Sequence, residues 1–373
     1  MIPILPFRAT RPTAAKAREF SLERMEHLSA DQILEMAGRL PLSLAALVQA
    51  AMAGEGAAKL ASLRADKALL QEPEPTVYMH RQVKGGRKHC GLVAGVRADA
   101  FTSGVIRAHR HARDEDAAQW RLLTERCAAQ VDSVILGFET NEVITDLFER
   151  EVNDRPLFHV VAGDGATHTL WSGRRAADLA TAFAEVRSAY VLEGHHRLQN
   201  LQPNDPVLCM LLPLNEVFAR WSPRLVRPSA DAAWHAWLQS NAELVAEPGM
   251  PAAGFADACV LRDGAPAWMR FRLPPPPLGA TLADATDSGR LDALLRTVLG
   301  ADALAATANR PGEDRVMQLQ ALLAGGAWGS VIVLSHPPVR ELTLLADAGE
   351  RLPAGSTWFE PRVRSGLWLH HHG

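Results

Sequence analysis

The sequence predicts a mixed α+β fold in which short sheets are flanked by helices. Three observations support this prediction: segments with apolar residues at helical spacing, segments in which apolar and polar residues alternate, and glycine-rich turns between the alternating segments. With 373 residues, of which 47% are hydrophobic, the chain can bury a large core. We expect two lobes, 1–220 and 221–373, with a boundary loop at 221–228.

The first helices are expected between residues 29 and 70, a stretch rich in alanine. Ser29 and Gln32 fit an S-x-x-Q capping box, in which the two side chains accept hydrogen bonds from backbone N–H groups at the start of a helix. Apolar residues at helical spacing follow, and Pro41 is expected to end this helix.

Two segments alternate around glycine turns and predict β-hairpins. The first is TVYMHRQVKGGRKHCGLVAGV, which turns at 85–86, and the second is LFHVVAGDGATHTLW, which turns at 164–165. Apolar spacing predicts further helices near 113–130, 175–187, 288–299, 314–323 and 341–347. Apolar runs predict strands at 134–138, at 189–192, in PVLCMLLPL and at 331–334.

Composition excludes several classes of protein. The net charge is −3, and neither a basic stripe for nucleic acid nor a polybasic membrane segment occurs. None of the five lysines follows a glycine, so the phosphate-binding GxxxxGK loop is absent, and a phosphate site must use arginine, histidine and backbone N–H groups. The chain also lacks the GxSxG, HExxH and GxGxxG patterns of serine hydrolases, zinc proteases and dinucleotide-dependent enzymes.

We expect a cytoplasmic protein that does not enter a membrane. The first residues, MIPILPFRATRPT, interrupt the apolar core that a signal peptide needs, and no apolar run approaches the ~20 residues of a membrane-spanning helix. The four scattered cysteines predict buried, reduced thiols. Of the terminal histidines 370–372 we expect disorder or, at most, loose metal binding, and His109 with His111 is a weaker candidate metal pair.

The stretch AYVLEGHHRLQN contains the strongest candidate site. An apolar strand ends at Glu193-Gly194, and His195, His196 and Arg197 follow directly. Glycine allows a sharp turn and a close ligand, and a helix that began here would present N–H groups to an anion. Histidine and arginine side chains add donors that suit phosphate.

Glu193 could hold Mg²⁺ against such phosphates or accept a proton from a substrate hydroxyl. The alternative is that His195 and His196 only cap a short helix and satisfy backbone carbonyls.

YVLEGHHR resembles the ADGHHR motif of the family called domain of unknown function 1015. Three further segments resemble that family in the same order along the chain, so that the likeness covers nearly all of it: PFRATRP, YMHRQVKGGRKHCGLVAGV with FTSGVIRAH, and GERLPAGSTWFEPRVRSGL. In its GHHR region the family is similar to the ParB/sulfiredoxin-like superfamily, which includes nucleotide-binding partition proteins, sulfiredoxins and a free serine kinase.

The resemblance implies a nucleotide-binding element around this turn. Gly194, His195, His196 and Arg197 would bind the nucleotide phosphates, and the implied cofactor is ATP or ADP with Mg²⁺ on Glu193. The implied catalytic residues are Glu193 and His109. The implied substrate or phosphate contacts are Arg81, Ser356, Thr357 and Arg362.

The chain departs from the family at several of these positions. Glu193 replaces an aspartate, and Arg110 replaces the glutamate of a His-Glu pair. A histidine of the family is missing at Ser222-Pro223-Arg224, and in the closing segment Gly355 and Arg362 replace lysines. These departures fit either a different substrate or a protein that binds without turnover.

The function expected from these residues is nucleotide-dependent phosphoryl transfer to a small hydroxylated acid, for example a serine-like one. Two alternatives stay open: a non-catalytic protein that binds a nucleotide or metabolite, and a phosphatase of a phosphorylated small acid. The expected partners are a nucleotide and a small-molecule substrate.

Overall fold

The computed structural model describes residues 1–23, 25, 28–199, 206–246, 249–300, 306–310 and 316–371. The chain forms two compact units. Unit 1 comprises Met1–Ala108, Ala112–Val217 and Glu360–Gly373, and unit 2 comprises His109–His111 and Phe218–Phe359. The sequence places a single boundary at 220/221, whereas the units divide after Val217 and the C-terminal segment returns to unit 1.

Helices and strands alternate irregularly along the chain, and the predicted α+β class is confirmed. The helices are α1 Ala17–Phe20, α2 Ala30–Arg39, α3 Leu44–Met52, α4 Gly56–Ala65, α5 Asp99–Thr102, α6 Asp114–Cys127, α7 Glu142–Val152, α8 Ala176–Ala184, α9 Asp231–Asn241, α10 Leu282–Ala285, α11 Asp287–Leu299, α12 Val316–Ala324 and α13 Val339–Asp347.

The strands belong to four sheets. They are β1 Ile4–Leu5, β2 Ala9–Pro12, β3 Leu69–Gln71, β4 Tyr78–Lys84, β5 Arg87–Arg97, β6 Ile106–Ala108, β7 Ala129–Gln130, β8 Val134–Phe138, β9 Phe158–Val161, β10 Thr167–Ser172, β11 Ala189–Glu193, β12 Pro206–Pro213, β13 Phe218–Trp221, β14 Arg224–Val226, β15 Ala242–Val245, β16 Phe255–Arg262, β17 Ala265–Arg272, β18 Thr307–Asn309, β19 Ser330–Leu334, β20 Thr357–Glu360 and β21 Leu369–His371.

Unit 1 is built on a nine-stranded sheet with the order β6-β11-β8-β12-β5-β4-β10-β9, and β1 pairs with β5. β11 runs parallel to β6, with Val191 opposite Ala108, and antiparallel to β8. A β-bulge between Val191 and Glu193 shifts the register just before the candidate turn. Because β6 and β11 are parallel, their carboxyl ends lie at the same edge of the sheet.

One face of this sheet carries the main apolar core of unit 1. Met79, Leu92 and Leu136 of the sheet belong to this core. Helices α5, α7 and α8 contribute Ala100, Phe148 and Phe183 to it. The opposite face is more polar at β4 and β10, where His80, Gln82 and His168 are buried. The C-terminal segment lies over that face, since Trp368 packs edge-on against His80.

A second apolar cluster of unit 1 joins α2, α3, α4 and α6 to the four-stranded sheet β3-β2-β21-β7. Among the described residues, no single helix is long and apolar enough to span a membrane. The successive helices α2 and α3 reach that length and hydropathy only together, and they are bent by 117°.

Unit 2 is built on the six-stranded sheet β15-β17-β16-β19-β14-β18. Leu225, Cys259, Trp268 and Val331 form its core together with residues of α12. Two ion pairs with buried carboxylates accompany this sheet: Asp257 accepts two hydrogen bonds from Arg270, and Asp292 pairs with Arg224.

Most local predictions are confirmed. The capping box of Ser29 and Gln32 forms at the start of α2, and β4 and β5 form the first hairpin around Gly85-Gly86, both with positive φ. β9 and β10 form the second hairpin, and β8, β11 and β12 occupy the predicted strand segments. All four cysteines are buried and unpaired with one another.

Two local predictions are corrected. The helix expected at 113–130 ends at Cys127, because Ala128 takes a left-handed conformation (φ +52°) and Ala129–Gln130 become β7. The terminal histidines were expected to be disordered, but His370 and His371 lie in β21, where His370 is opposite Gln130. The Nε2 atom of His371 lies 2.8 Å from the Thr10 hydroxyl. His372, and residues 314–315 of the helix predicted at 314–323, lie outside the described residues.

His80 and His168 form a buried pair on the polar face of the sheet. Their rings stack with centroids 5.2 Å apart, and Nε2 of His80 lies 3.0 Å from Nδ1 of His168. Burial lowers the pKa of His168 to about 3, and the pKa of His80 also lies well below its usual value. Both imidazoles are therefore neutral in the folded protein at neutral pH.

We expect this pair to make unit 1 sensitive to acid. Below pH 6.5 the unfolded chain binds protons that the folded chain does not, so the free energy of unfolding falls as the pH drops toward the folded pKa of about 3. Each histidine contributes roughly 1.4 kcal/mol per pH unit in that window. His168→Gln should remove one such contribution from the slope of unfolding free energy against pH, measured by urea denaturation. The control His159→Gln, at an exposed residue of β9, should keep the wild-type slope; an equal slope in all three proteins would contradict the argument.

Candidate functional site

The turn after β11 depends on Gly194, whose φ of +91° and ψ of +21° lie in the left-handed region. A Cβ atom at this position would lie 2.6 Å from Nη1 of Arg197 and 3.1 Å from Cα of Val134. The left-handed backbone favours glycine here, and a larger residue would have to displace the guanidinium of Arg197. The turn begins directly after Glu193, the last residue of β11.

Arg197 is directed into the protein. Its Nη2 atom lies 2.7 Å from Oδ2 of Asp132, and its Nη1 donates a hydrogen bond of 3.1 Å to the carbonyl of Ser133. The guanidinium also stacks over the ring of Trp120, 3.9 Å from its centroid. The side chain is 9% exposed, so this arginine holds the turn against β8 and α6.

Asp132 is bound from several directions. Besides Arg197, it accepts hydrogen bonds from the hydroxyl of Ser365 at 2.8 Å and from the backbone N–H of Ser133 at 2.9 Å. Ser365 also accepts from the N–H of Met25. The C-terminal segment of unit 1 is thereby fixed to the same carboxylate as the turn.

His196 faces α6. Its Nδ1 accepts a hydrogen bond from the backbone N–H of Arg113 at 3.1 Å, so the neutral ring carries its proton on Nε2. Nε2 lies 3.4 Å from Oδ2 of Asp116. His195 and Glu193 are also buried.

His195–Leu198 form one short 3-10 turn. The sequence allowed a longer helix to begin at this point. A four-residue turn has no helix dipole of useful size, so that part of the anion-binding argument does not apply. The amide N–H of Arg197 is already used, because it bonds to the carbonyl of Gly194. Phosphate binding by Gly194, His195, His196 and Arg197 stays a prediction.

The other predicted catalytic residue, His109, belongs to unit 2. Its Nε2 lies 2.7 Å from the hydroxyl of Thr357, and its ring packs edge-on against Phe359. The hydroxyl of the neighbouring Ser356 donates to the carbonyl of Pro353. The structure thus brings together three of the predicted residues, His109, Ser356 and Thr357, within unit 2.

Arg81 and Arg362 lie in unit 1 and are far apart in the sequence. Arg81 projects from β4 on the face of Trp171, and its guanidinium lies 4.9 Å from the centroid of that ring. Arg362 follows the end of β20 and is half-buried. Their contacts to a substrate stay predictions.

No group of three or more His, Cys, Asp or Glu side chains in the described part of the chain is arranged to hold a metal ion. Mg²⁺ is commonly held by one or two carboxylates together with substrate phosphates. A single carboxylate such as Glu193 fits that mode of binding, which stays a prediction.

The residues that organise the turn were missed from the sequence. Asp132, Trp120 and Ser365 are far apart along the chain, and nothing in local spacing links them. The one available signal was the Ser-Gly-Leu string at 365–367 in the closing segment, which resembles the family without indicating that its serine binds Asp132.

The family model described as "Protein of unknown function (DUF1015)" matches residues 4–201. The chain belongs to this family. The match confirms the resemblance inferred from PFRATRP and YVLEGHHR. No curated protein matches the chain.

Several solved structures resemble this member of the DUF1015 family. SbnI with a C-terminal truncation, from Staphylococcus aureus, has a TM-score of 0.39 and 11% identity, covering 74% of this chain and 87% of that chain. Free serine kinase in complex with AMP has a TM-score of 0.36 and 10% identity, covering 72% and 86%. A conserved hypothetical protein from Pyrococcus furiosus has a TM-score of 0.39 and 10% identity, covering 74% and 95%. A likeness of this degree says nothing about the ligand of this chain.

Removing Arg197 should destabilise unit 1. Arg197→Ala leaves the Asp132 carboxylate buried without its charge partner, and we expect a loss of about 3–5 kcal/mol in the free energy of unfolding by urea. The control Arg121→Ala removes an exposed arginine of α6, 3.9 Å from Glu125, and should cost less than about 1 kcal/mol.

A double variant separates the ion pair from packing. Arg197→Met with Asp132→Leu leaves neither charge unpaired and should recover part of the stability lost in Arg197→Ala. Equal losses in Arg197→Ala and Arg121→Ala would show that the contact with Asp132 contributes nothing.

Proposed function

We propose that the turn at Gly194–Arg197 binds a nucleotide or another phosphorylated small molecule. The observation that supports it is the position of this turn, which begins at the left-handed Gly194, at the edge where β6 and β11 both end. Crevices beyond the carboxyl ends of sheet strands are common ligand sites. The choice of a nucleotide as the ligand rests on the resemblance of YVLEGHHR to nucleotide-binding turns.

In this proposal, Arg197 and His196 fix the turn and do not themselves bind the ligand. Arg197 and His196 hold the turn through Asp132, Trp120 and α6, so the ligand meets a turn whose shape exists before binding. A preorganised turn avoids the entropy cost of ordering a loop on binding. Arg197 is then a positioning residue.

The reaction we propose is phosphoryl transfer from ATP to a small hydroxylated acid, for which a serine-like molecule is the first candidate. Such transfer depends mainly on positioning and on neutralising charge. Glu193 would hold Mg²⁺ or accept the proton of the substrate hydroxyl. When bound, Mg²⁺ would neutralise charge on the phosphates.

A second candidate is a protein that binds the nucleotide without turnover. Arg110 favours it, because it reverses the charge at a position where the resembled family has a glutamate. A phosphatase, the third alternative, would act on its phosphorylated substrate without any nucleotide.

The proposal predicts that Gly194→Ala abolishes or weakens nucleotide binding at least about ten-fold, since the new methyl group displaces Arg197 and strains the turn. Isothermal titration with ATP, ADP and CTP measures this. The matched control is Gly165→Ala, at a glycine with φ +78° and nothing within 4 Å, which should bind like wild type.

Two further outcomes decide among the candidates. Transfer to serine-like acids that is lost in Glu193→Gln while ATP still binds would support the kinase, whereas tight binding with no transfer would select the non-catalytic protein. Wild-type protein that binds none of the nucleotides, or a Gly194→Ala protein that binds them as wild type does, would contradict the proposed site.

A further inference from the structure

Unit 2 contains a cleft of about 330 Å³ that has no counterpart in the family motifs. Its walls are mostly apolar and come from Trp221, Leu282, Pro337, Pro338, Leu344 and Leu345. A volume above roughly 300 Å³ with apolar walls and a few polar groups is typical of sites for small organic molecules. The described residues that line it all belong to unit 2.

Two carboxylates, Asp287 and Glu341, line this cleft together with His336, whose Nε2 lies against Nη1 of Arg220. Asp287 begins α11 and is occupied: Oδ1 lies 2.9 Å from Nη1 of Arg290, and Oδ2 accepts a hydrogen bond of 2.9 Å from the N–H of Gly254. Arg290 is occupied as well, because its other nitrogens donate to the carbonyls of Pro274 and Leu273. All three nitrogens of this guanidinium therefore have partners other than Glu341.

Glu341 differs from Asp287 in its surroundings. It lies in the first turn of α13 and is half-buried, and no described residue donates a hydrogen bond to its carboxylate or pairs with it. Burial, and then the nearby charge of Asp287, raise the pKa of Glu341. A carboxylate in such a position gains most from a partner that brings positive charge and N–H donors.

We propose that this cleft binds a small organic cation, a primary ammonium on an apolar ring or branched chain. The ammonium contacts the carboxylate of Glu341, and the apolar part packs against Trp221 and Leu345. Three donors on the ammonium match the carboxylate and nearby hydroxyls, of which Ser335 is one. An anion would meet two carboxylates here and is disfavoured.

The test compares ligands of one shape and different charge. Benzylamine, benzyl alcohol and benzoate are titrated against the full chain by ligand-observed NMR, and we expect benzylamine to bind best and benzoate not to bind. Glu341→Gln, which keeps the shape of the side chain, should weaken benzylamine binding about five-fold or more.

Two further variants keep the test specific. Glu243→Gln removes the same charge from an exposed residue of β15 outside the cleft and should leave benzylamine binding unchanged. Ala253→Phe places a ring at an exposed position of the lining and should block all three ligands.

The proposal is overturned if benzyl alcohol binds as tightly as benzylamine, or if Glu341→Gln binds benzylamine like wild type. It is also overturned if benzylamine, cyclohexylamine and isobutylamine all fail to bind. Because the cleft and the Gly194 turn share no residue, these outcomes are independent of nucleotide binding.

Discussion

The contact between Arg197 and Asp132 is the constraint on which the candidate turn of unit 1 depends. Two charges removed from water are stable only when each is paired and the remaining polar atoms are bonded. Asp132 meets this condition because Arg197, Ser365 and the N–H of Ser133 all contact its oxygens. The strand end, the turn and the C-terminal segment are consequently fixed by one carboxylate.

This constraint changes how the GHHR string is understood. From the sequence, histidine and arginine after glycine suggest donors that face a phosphate. In the structure, Arg197 stacks on Trp120, and His196 accepts a hydrogen bond from the backbone at the start of α6. These two side chains therefore fix the turn against the protein interior. Close packing at Gly194 has the same effect, since the missing Cβ is what allows Arg197 to lie against the backbone. In the proposed site, the backbone of the turn and Glu193 are the groups that would contact the ligand.

The sequence predicts those features that depend on neighbouring residues. The capping box of α2 and the Gly85-Gly86 hairpin follow from side chains and turn preferences within a few positions, and both form. β21 pairs with β2 and β7, segments more than two hundred residues away, and no local pattern encodes that pairing. Asp132 was missed for the same reason: its partners come from 197 and 365. Ala128, which ends α6 early, takes a left-handed conformation that is rare for alanine. The sequence therefore does not predict this helix end.

Buried carboxylates that have hydrogen-bond partners within the chain differ from those that could bind a ligand. Glu151 accepts from the backbone N–H groups of Arg174 and Arg175, and Asp257 accepts two hydrogen bonds from Arg270. Like Asp132, these acids have their partners within the chain, and burial costs them little because the charge is fully bonded. Glu341 is only half-buried, but it has no hydrogen-bond donor among the described residues, and burial raises its pKa. A fold retains such a cost more readily where a partner from outside the chain can supply the missing charge, and the apolar cleft around Glu341 has the size and the walls to admit one.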